Sequence, residues 1–133
     1  MRLPRHHILA AVVAGGMLGT ALRAAAGLAL PHQPGQWPWA ILLVNLSGAL
    51  LIGWWSAALP HTAGADPRLQ PFLVTGLCGG LTSFSAIELD GSQLVPLTAA
   101  AYFAVSVAGG LLAVAAGRRA ATVRRTRNAK AHR

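Results

Sequence analysis

The 133 residues are enough for one domain, and only 11% of them are charged, far below the roughly 25% of a soluble domain. Mean hydropathy is +0.52, so the main solvent is lipid. The net charge of +8 would suit a nucleic-acid binder, but seven of the 11 basic residues (Arg118, Arg119, Arg124, Arg125, Arg127, Lys130 and Arg133) follow the last apolar stretch, where a topology signal or an attraction to anionic lipid is expected instead.

Four apolar stretches approach the roughly 20 residues that a helix needs to cross a bilayer core. The first runs from about Ile8 to Leu30. Arg2 and Arg5 precede it as they would a signal peptide, but Arg23 interrupts it and three more stretches follow, so it reads as a retained span. Gly15, Gly19, Arg23 and Gly27 recur at every fourth residue and share one face. Small residues on one face mark a helix contact. Arg23 then either turns toward protein or a wet vestibule, or snorkels to the interface.

Pro31, Pro34 and Gly35 separate this span from the second, about Trp37 to Leu59. Trp37 and Trp39 mark one end, Trp54 and Trp55 the other. Trp39 and Trp54 stand roughly 22 Å apart along a helix, which suits two interfacial belts. Asn45 lies mid-span, followed by Ser47 and Gly48. A mid-membrane amide needs partners. Asn45 is either an interhelical hydrogen bond or an N–H that faces an anion.

After Pro60, Gly64 and Pro67, the third span covers about Pro71 to Leu89. Its centre reads Gly76-Leu77-Cys78-Gly79-Gly80-Leu81-Thr82-Ser83-Phe84-Ser85. Gly79-Gly80 is a poor helix interior and is able to break it. A break frees carbonyls that protein, water or an ion must satisfy; a glycine packing face is the alternative. Cys78 reads as a small apolar residue, and one cysteine allows no intrachain disulfide.

Asp90-Gly91 turns the chain into the fourth span, about Leu94 to Gly117. Thr98, Tyr102 and Ser106 recur every fourth residue and form a line of hydroxyls, with Gly110 next. Residues 118–133 follow as a basic tail.

An even number of spans puts both termini and the second loop on one side. That side holds Arg2, Arg5, Arg68 and the seven tail residues, against at most Arg23 opposite. The positive-inside rule therefore predicts cytoplasmic termini in a multi-pass plasma-membrane protein. The five histidines (His6, His7, His32, His61, His132) fall in predicted loops or termini, and the acids (Asp66, Glu88, Asp90) near span ends. No nucleophile–base pair, phosphate loop or metal-ligand spacing emerges, so no enzyme is expected.

Together the segments resemble the CrcB/Fluc fluoride channels. Gly15 to Arg23 is similar to the family's first-helix motif, Val44-Asn45-Leu46-Ser47-Gly48 to its second, and Gly79 to Ser85 to its third-helix break. Tyr102 and Ser106 are similar to its polar track. The resemblance implies an all-α antiparallel dimer, of dual-topology type, with two pores at the subunit interface. It implies a structural sodium ion between the subunits, held by the Gly79 and Thr82 carbonyls. It assigns the pore to Asn45, Phe84, Tyr102 and Ser106, with Ser83 and Ser85 close by and Arg23 near a vestibule. Fluoride would leave the cytoplasm by passive flow, relieving its toxicity. Such a pore must replace fluoride's water with donors, and Asn, Ser and Tyr supply them, as does the positive edge of an aromatic ring such as Phe84.

The chain departs from the pattern at Ile41 in place of Thr, Ile87 in place of a second Phe, Ala86 in place of Thr, and Gly110 in place of Ser. The lost pore groups and the strong charge bias point to a partner subunit that is a homologue inserted the other way, with a second copy of this chain in an antiparallel homodimer as the alternative. A small multidrug exporter also has four helices, but such exporters need a carboxylate near the middle of the first span, which this chain lacks. A membrane adaptor would explain the basic tail but neither Asn45 nor the third-span glycines.

Overall fold

The computed structural model describes residues 4–62 and 64–131, without side-chain detail at 61 and 129–131. Arg2, His132 and Arg133 lie outside the described residues, as do the His61 and Lys130 side chains. Among the described residues the regular structure is helical. Helix α1 spans Arg5–Ala29 and stops just short of Pro31, whose ring disfavours helix in the residue before it. Helix α2 spans Trp39–Ala58 and continues into a short 3₁₀ turn, Leu59–His61. The helix starts two residues later than the Trp37 expected from sequence, because Pro38 separates Trp37 from it.

The third segment is composite. It opens as a π-helix, Pro71–Cys78, winds one α-helical turn, α3 (Gly79–Leu81), and resumes as α4 (Phe84–Gly91). Helix α5 spans Pro96–Ala131. It does not stop at Gly117: the stretch beyond is mostly Ala and Arg, has neither Gly nor Pro, and favours helix. His6 and His7 stand in the first turn of α1 rather than in a loop.

Four segments are long and apolar enough to cross a membrane: Arg5–Ala29, Trp39–Ala58, Pro71–Gly91 and Pro96–Asn128. Only 11% of the apolar windows of the first and last is buried, so their surfaces need a non-aqueous neighbour. Leu9, Val13, Met17, Leu111 and Leu112 are among the exposed apolar groups. The chain is thus built as a multi-pass membrane protein.

The helices associate as two pairs, α2 along α5 and α1 along the third segment. Glycine makes the second pairing close. A Cβ on Gly15 would strike the Phe72 carbonyl, one on Gly19 the Leu77 carbonyl, and one on Gly80 the Gly16 carbonyl. In a bilayer, where lipid offers no hydrophobic drive between helices, such backbone approach is what holds them. Gly27, on the same expected stripe, meets nothing within 4 Å. The contact face therefore ends near Arg23. A compact apolar cluster of Leu42, Ile87, Leu94 and Tyr102 ties α2, α4 and α5 together, with Trp37, Ile41 and Phe103 against it.

In the second loop Asp66 accepts from the Arg68 backbone N–H at 2.8 Å and from its Nε at 3.2 Å. These bonds, the backbone one first, hold the exposed carboxyl below its usual range. Gly64 supplies the positive φ (73°) there, a conformation other residues adopt at a cost.

Candidate functional site

The third segment loses its helical winding at two residues. Thr82 (φ −82°, ψ 147°) and Ser83 (φ −151°, ψ 116°) are extended between α3 and α4. Gly79 and Gly80 themselves remain helical. The reason is a tertiary hydrogen bond. Asn45 Oδ1 on α2 accepts from the Ser83 N–H at 2.7 Å, and Asn45 Nδ2 donates to the Ser83 carbonyl at 3.4 Å. The side-chain amide stands in for a helical neighbour on both sides of one residue.

This redirects the nearby backbone. In a regular helix the Ser83 N–H would return to the Gly79 carbonyl and the Ala86 N–H to that of Thr82. The first goes to Asn45, and the second donates to Ser83 Oγ at 3.2 Å, a helix N-cap. The Gly79 and Thr82 carbonyls thereby lose their ordinary donors. Both suit a hard cation, which takes oxygen ligands. Gly79 is exposed, and a Cβ there would meet nothing within 4 Å. Among the described residues this chain therefore leaves that surface open.

Neighbouring groups complete the segment. Thr82 Oγ1 donates to the Cys78 carbonyl at 2.9 Å, beside the Thr82 N–H bond to the same oxygen. Ser83 Oγ lies 3.2 Å from Ser85 Oγ. Arg23 Nε donates to the Gly80 carbonyl at 3.3 Å. Arg23 thus turns toward protein, onto an oxygen whose helical donor would have been Phe84 N–H. Phe84 is 63% exposed on the outer face. Asn45, Ser83, Ser85, Thr82, Gly79, Gly80 and Arg23 therefore form one neighbourhood.

Tyr102 and Ser106 sit elsewhere, within the packing of α5. Tyr102 is fully buried, its ring edge-on to Trp37 at 5.5 Å, and Ser106 is buried one turn away. Among the described residues neither hydroxyl, nor Trp37 Nε1, makes a well-formed hydrogen bond, although Ser106 stands close enough to act on the Tyr102 hydroxyl. A buried hydroxyl without an acceptor is costly. Sequence reasoning did not single out Trp37 in this role or His32, whose Nε2 lies 3.7 Å from Asp90 Oδ1. The loop Trp37 showed only as a belt residue, and His32 carried no spacing that tied it to Asp90.

The departures also have places. Ile87 is buried in the cluster beside Tyr102, and Ile41 packs against it. Both branched apolar side chains thus belong to the apolar cluster that includes Tyr102. Gly110 is half-buried, with nothing within 4 Å of an added Cβ.

Residues 10–118 match the family described as CrcB-like protein, Camphor Resistance (CrcB). The chain is 43% identical over 119 residues to the fluoride-specific ion channel FluC 1 of Mycobacterium tuberculosis (strain CDC 1551 / Oshkosh), covering 84% of this chain and 89% of that one. It is 42% identical over 117 residues to the fluoride-specific ion channel FluC of Rhizobium meliloti (strain 1021), covering 84% and 93%. To the protein of that name in Pseudomonas putida (strain KT2440 among its designations) it is 43% identical over 116 residues, covering 83% and 93%. These relatives bear the name of an ion channel, not of an enzyme.

Proposed function

The chain belongs to the CrcB family, and on that premise we propose that it is one subunit of a fluoride channel that lets the ion leave the cytoplasm passively and so lowers its toxicity. The observation that carries the reading is the pair of buried hydroxyls on α5. Among the described residues neither Tyr102 OH nor Ser106 Oγ makes a well-formed hydrogen bond. Fluoride is small and strongly hydrated, so replacing its water takes several donors in sequence, each weak enough to release it. Tyr102 and Ser106 supply two. Asn45 keeps one Nδ2 hydrogen beyond the one directed at Ser83. Phe84, exposed on the outer face, offers a ring edge to an anion at a subunit contact. Ser85, close to Ser83, and Arg23, on the Gly80 carbonyl, flank this route.

The reading includes a dimer of oppositely inserted subunits with a structural sodium ion between them. The Gly79 and Thr82 carbonyls, relieved of their helical donors, would hold it, and it would supply a fixed positive charge that clamps two interrupted segments together. Both termini would be cytoplasmic, the side that carries Arg68 and the arginines of α5.

The partner is a homologous subunit of opposite orientation. Two facts support this over pairing with itself. The basic residues bias insertion strongly one way, whereas a self-pairing dual-topology chain needs a weak bias. Ile41 and Ile87 bring groups that donate nothing to the cluster holding Tyr102, which suits a pore left to the partner's residues. A proteoliposome assay decides the function: fluoride efflux far faster than chloride efflux is expected when this chain is co-purified with such a homologue. Equal slow leak of both anions, with the dimer intact, would sink the channel reading.

A further inference from the structure

We propose that a groove between α2 and α5 at the basic end of the bundle seats the phosphate-bearing headgroup of an anionic phospholipid. The groove begins where glycine brings the two helices together. A Cβ on Gly53 would strike the Val114 carbonyl, and one on Gly117 the Leu50 carbonyl. Around this crossing lies a space of about 530 Å³, walled by Ser56 of α2 and by Arg118, Thr122 and Arg125 of α5. A second basic hollow, between Arg119 and Arg127, is lined by α5 alone and has no opposite wall.

The basic stretch of α5 is held in place. Ala121 is only 5% exposed, and the Arg124 guanidinium lies over the Trp54 ring at 5.8 Å, a cation–π contact. The groove is therefore positioned in advance of any ligand.

Charge, depth and hydrogen bonding agree on the occupant. Among the described residues no carboxylate lines the groove. The acids lie elsewhere, Asp66 against Arg68, Asp90 beside His32, and Glu88 on α4. Among the described residues neither Arg118 nor Arg125 forms an ion pair. Thr122 Oγ1 donates to the Arg118 carbonyl at 2.9 Å, so its hydrogen is engaged. Recognition falls to two guanidiniums, which take phosphate oxygens in pairs, and to the Ser56 hydroxyl. The level is that of Trp54 and Trp55, where headgroups lie. Leu111 and Leu112, 69% and 71% exposed on the apolar part of the same helix, offer a surface for acyl chains. The site is independent of the pore.

The test is native mass spectrometry of the purified chain in neutral detergent with added phosphatidylglycerol or phosphatidylcholine. One phosphatidylglycerol per chain is expected, retained well above phosphatidylcholine. Arg118→Gln with Arg125→Gln should weaken its retention about thirty-fold or more, because each removes a charge-assisted hydrogen bond to the phosphate. Arg119→Gln with Arg127→Gln removes the same charge away from the groove and, in about 0.15 M salt, should change retention by less than about threefold. Ser56→Leu fills the groove at constant charge and should also lower retention, which keeps the test valid if the double variant folds poorly. Inorganic phosphate in excess should not displace the lipid; displacement would mean a free-anion site. Equal losses in the two double variants, equal retention of the two lipids, or no effect of Ser56→Leu would each overturn the proposal.

Discussion

Asn45 brackets the backbone of Ser83, accepting from its N–H at 2.7 Å and donating to its carbonyl at 3.4 Å. One side chain on α2 thereby sets the conformation of a residue on another segment.

Asn45→Ala leaves the Ser83 N–H without its acceptor, at a cost of about 1–2 kcal/mol in a membrane protein. A lower midpoint in denaturant-driven unfolding in mixed micelles is expected. Asn45→Asp keeps the acceptor but sets a negative charge against the Ser83 carbonyl in mid-membrane, at a cost of about 2.5–3.5 kcal/mol. The unfolding midpoint should fall, and so should fluoride flux, because the charge repels the anion.

Tyr102→Phe removes a buried hydroxyl that makes no well-formed hydrogen bond among the described residues. Stability should hold or rise by about 1 kcal/mol, since an unsatisfied polar group is gone. Fluoride efflux from proteoliposomes should fall. A drop in stability with unchanged flux would assign the hydroxyl to packing instead.

Gly19→Ala should destabilise by about 1–3 kcal/mol, because its Cβ would press on the Leu77 carbonyl and overpacking has few ways to relax. Gly27→Ala is the matched control. It meets nothing, and should gain up to about 1 kcal/mol from helix propensity. Thermal unfolding in detergent reads both.

Single cysteines in a Cys78→Ala background test the orientation. Thr62→Cys should be modified by an impermeant maleimide only after the membrane is opened, and Gln93→Cys in intact cells. Comparable modification of each from both faces would show dual insertion and remove the argument for an opposite partner.

The four spans were legible because lipid imposes a length and an apolarity that composition alone reveals. The family was legible in the short motifs around Arg23, Asn45 and Phe84. The interruption was readable only in outline. The glycine pair drew attention to 79–80, yet extended backbone occurs at Thr82 and Ser83, because a hydrogen bond from 38 residues away decides it. Local propensity carries no trace of such a bond. The length of α5 had a signal, the lack of any breaker after Gly117, which the concentration of charge obscured. The π winding of Pro71–Cys78 had none, and the line of hydroxyls did not disclose that Tyr102 lies beneath Trp37.

Helix α5 is 36 residues long, about 54 Å at the usual rise. A hydrocarbon core of about 30 Å accounts for little more than half of that. The remainder is a mast rooted in the same helix that carries Tyr102 and Ser106. A compact protein grafted onto its end in helical register would stand at a fixed angle to the bilayer. That would give electron microscopy a landmark on a subunit otherwise too small to align.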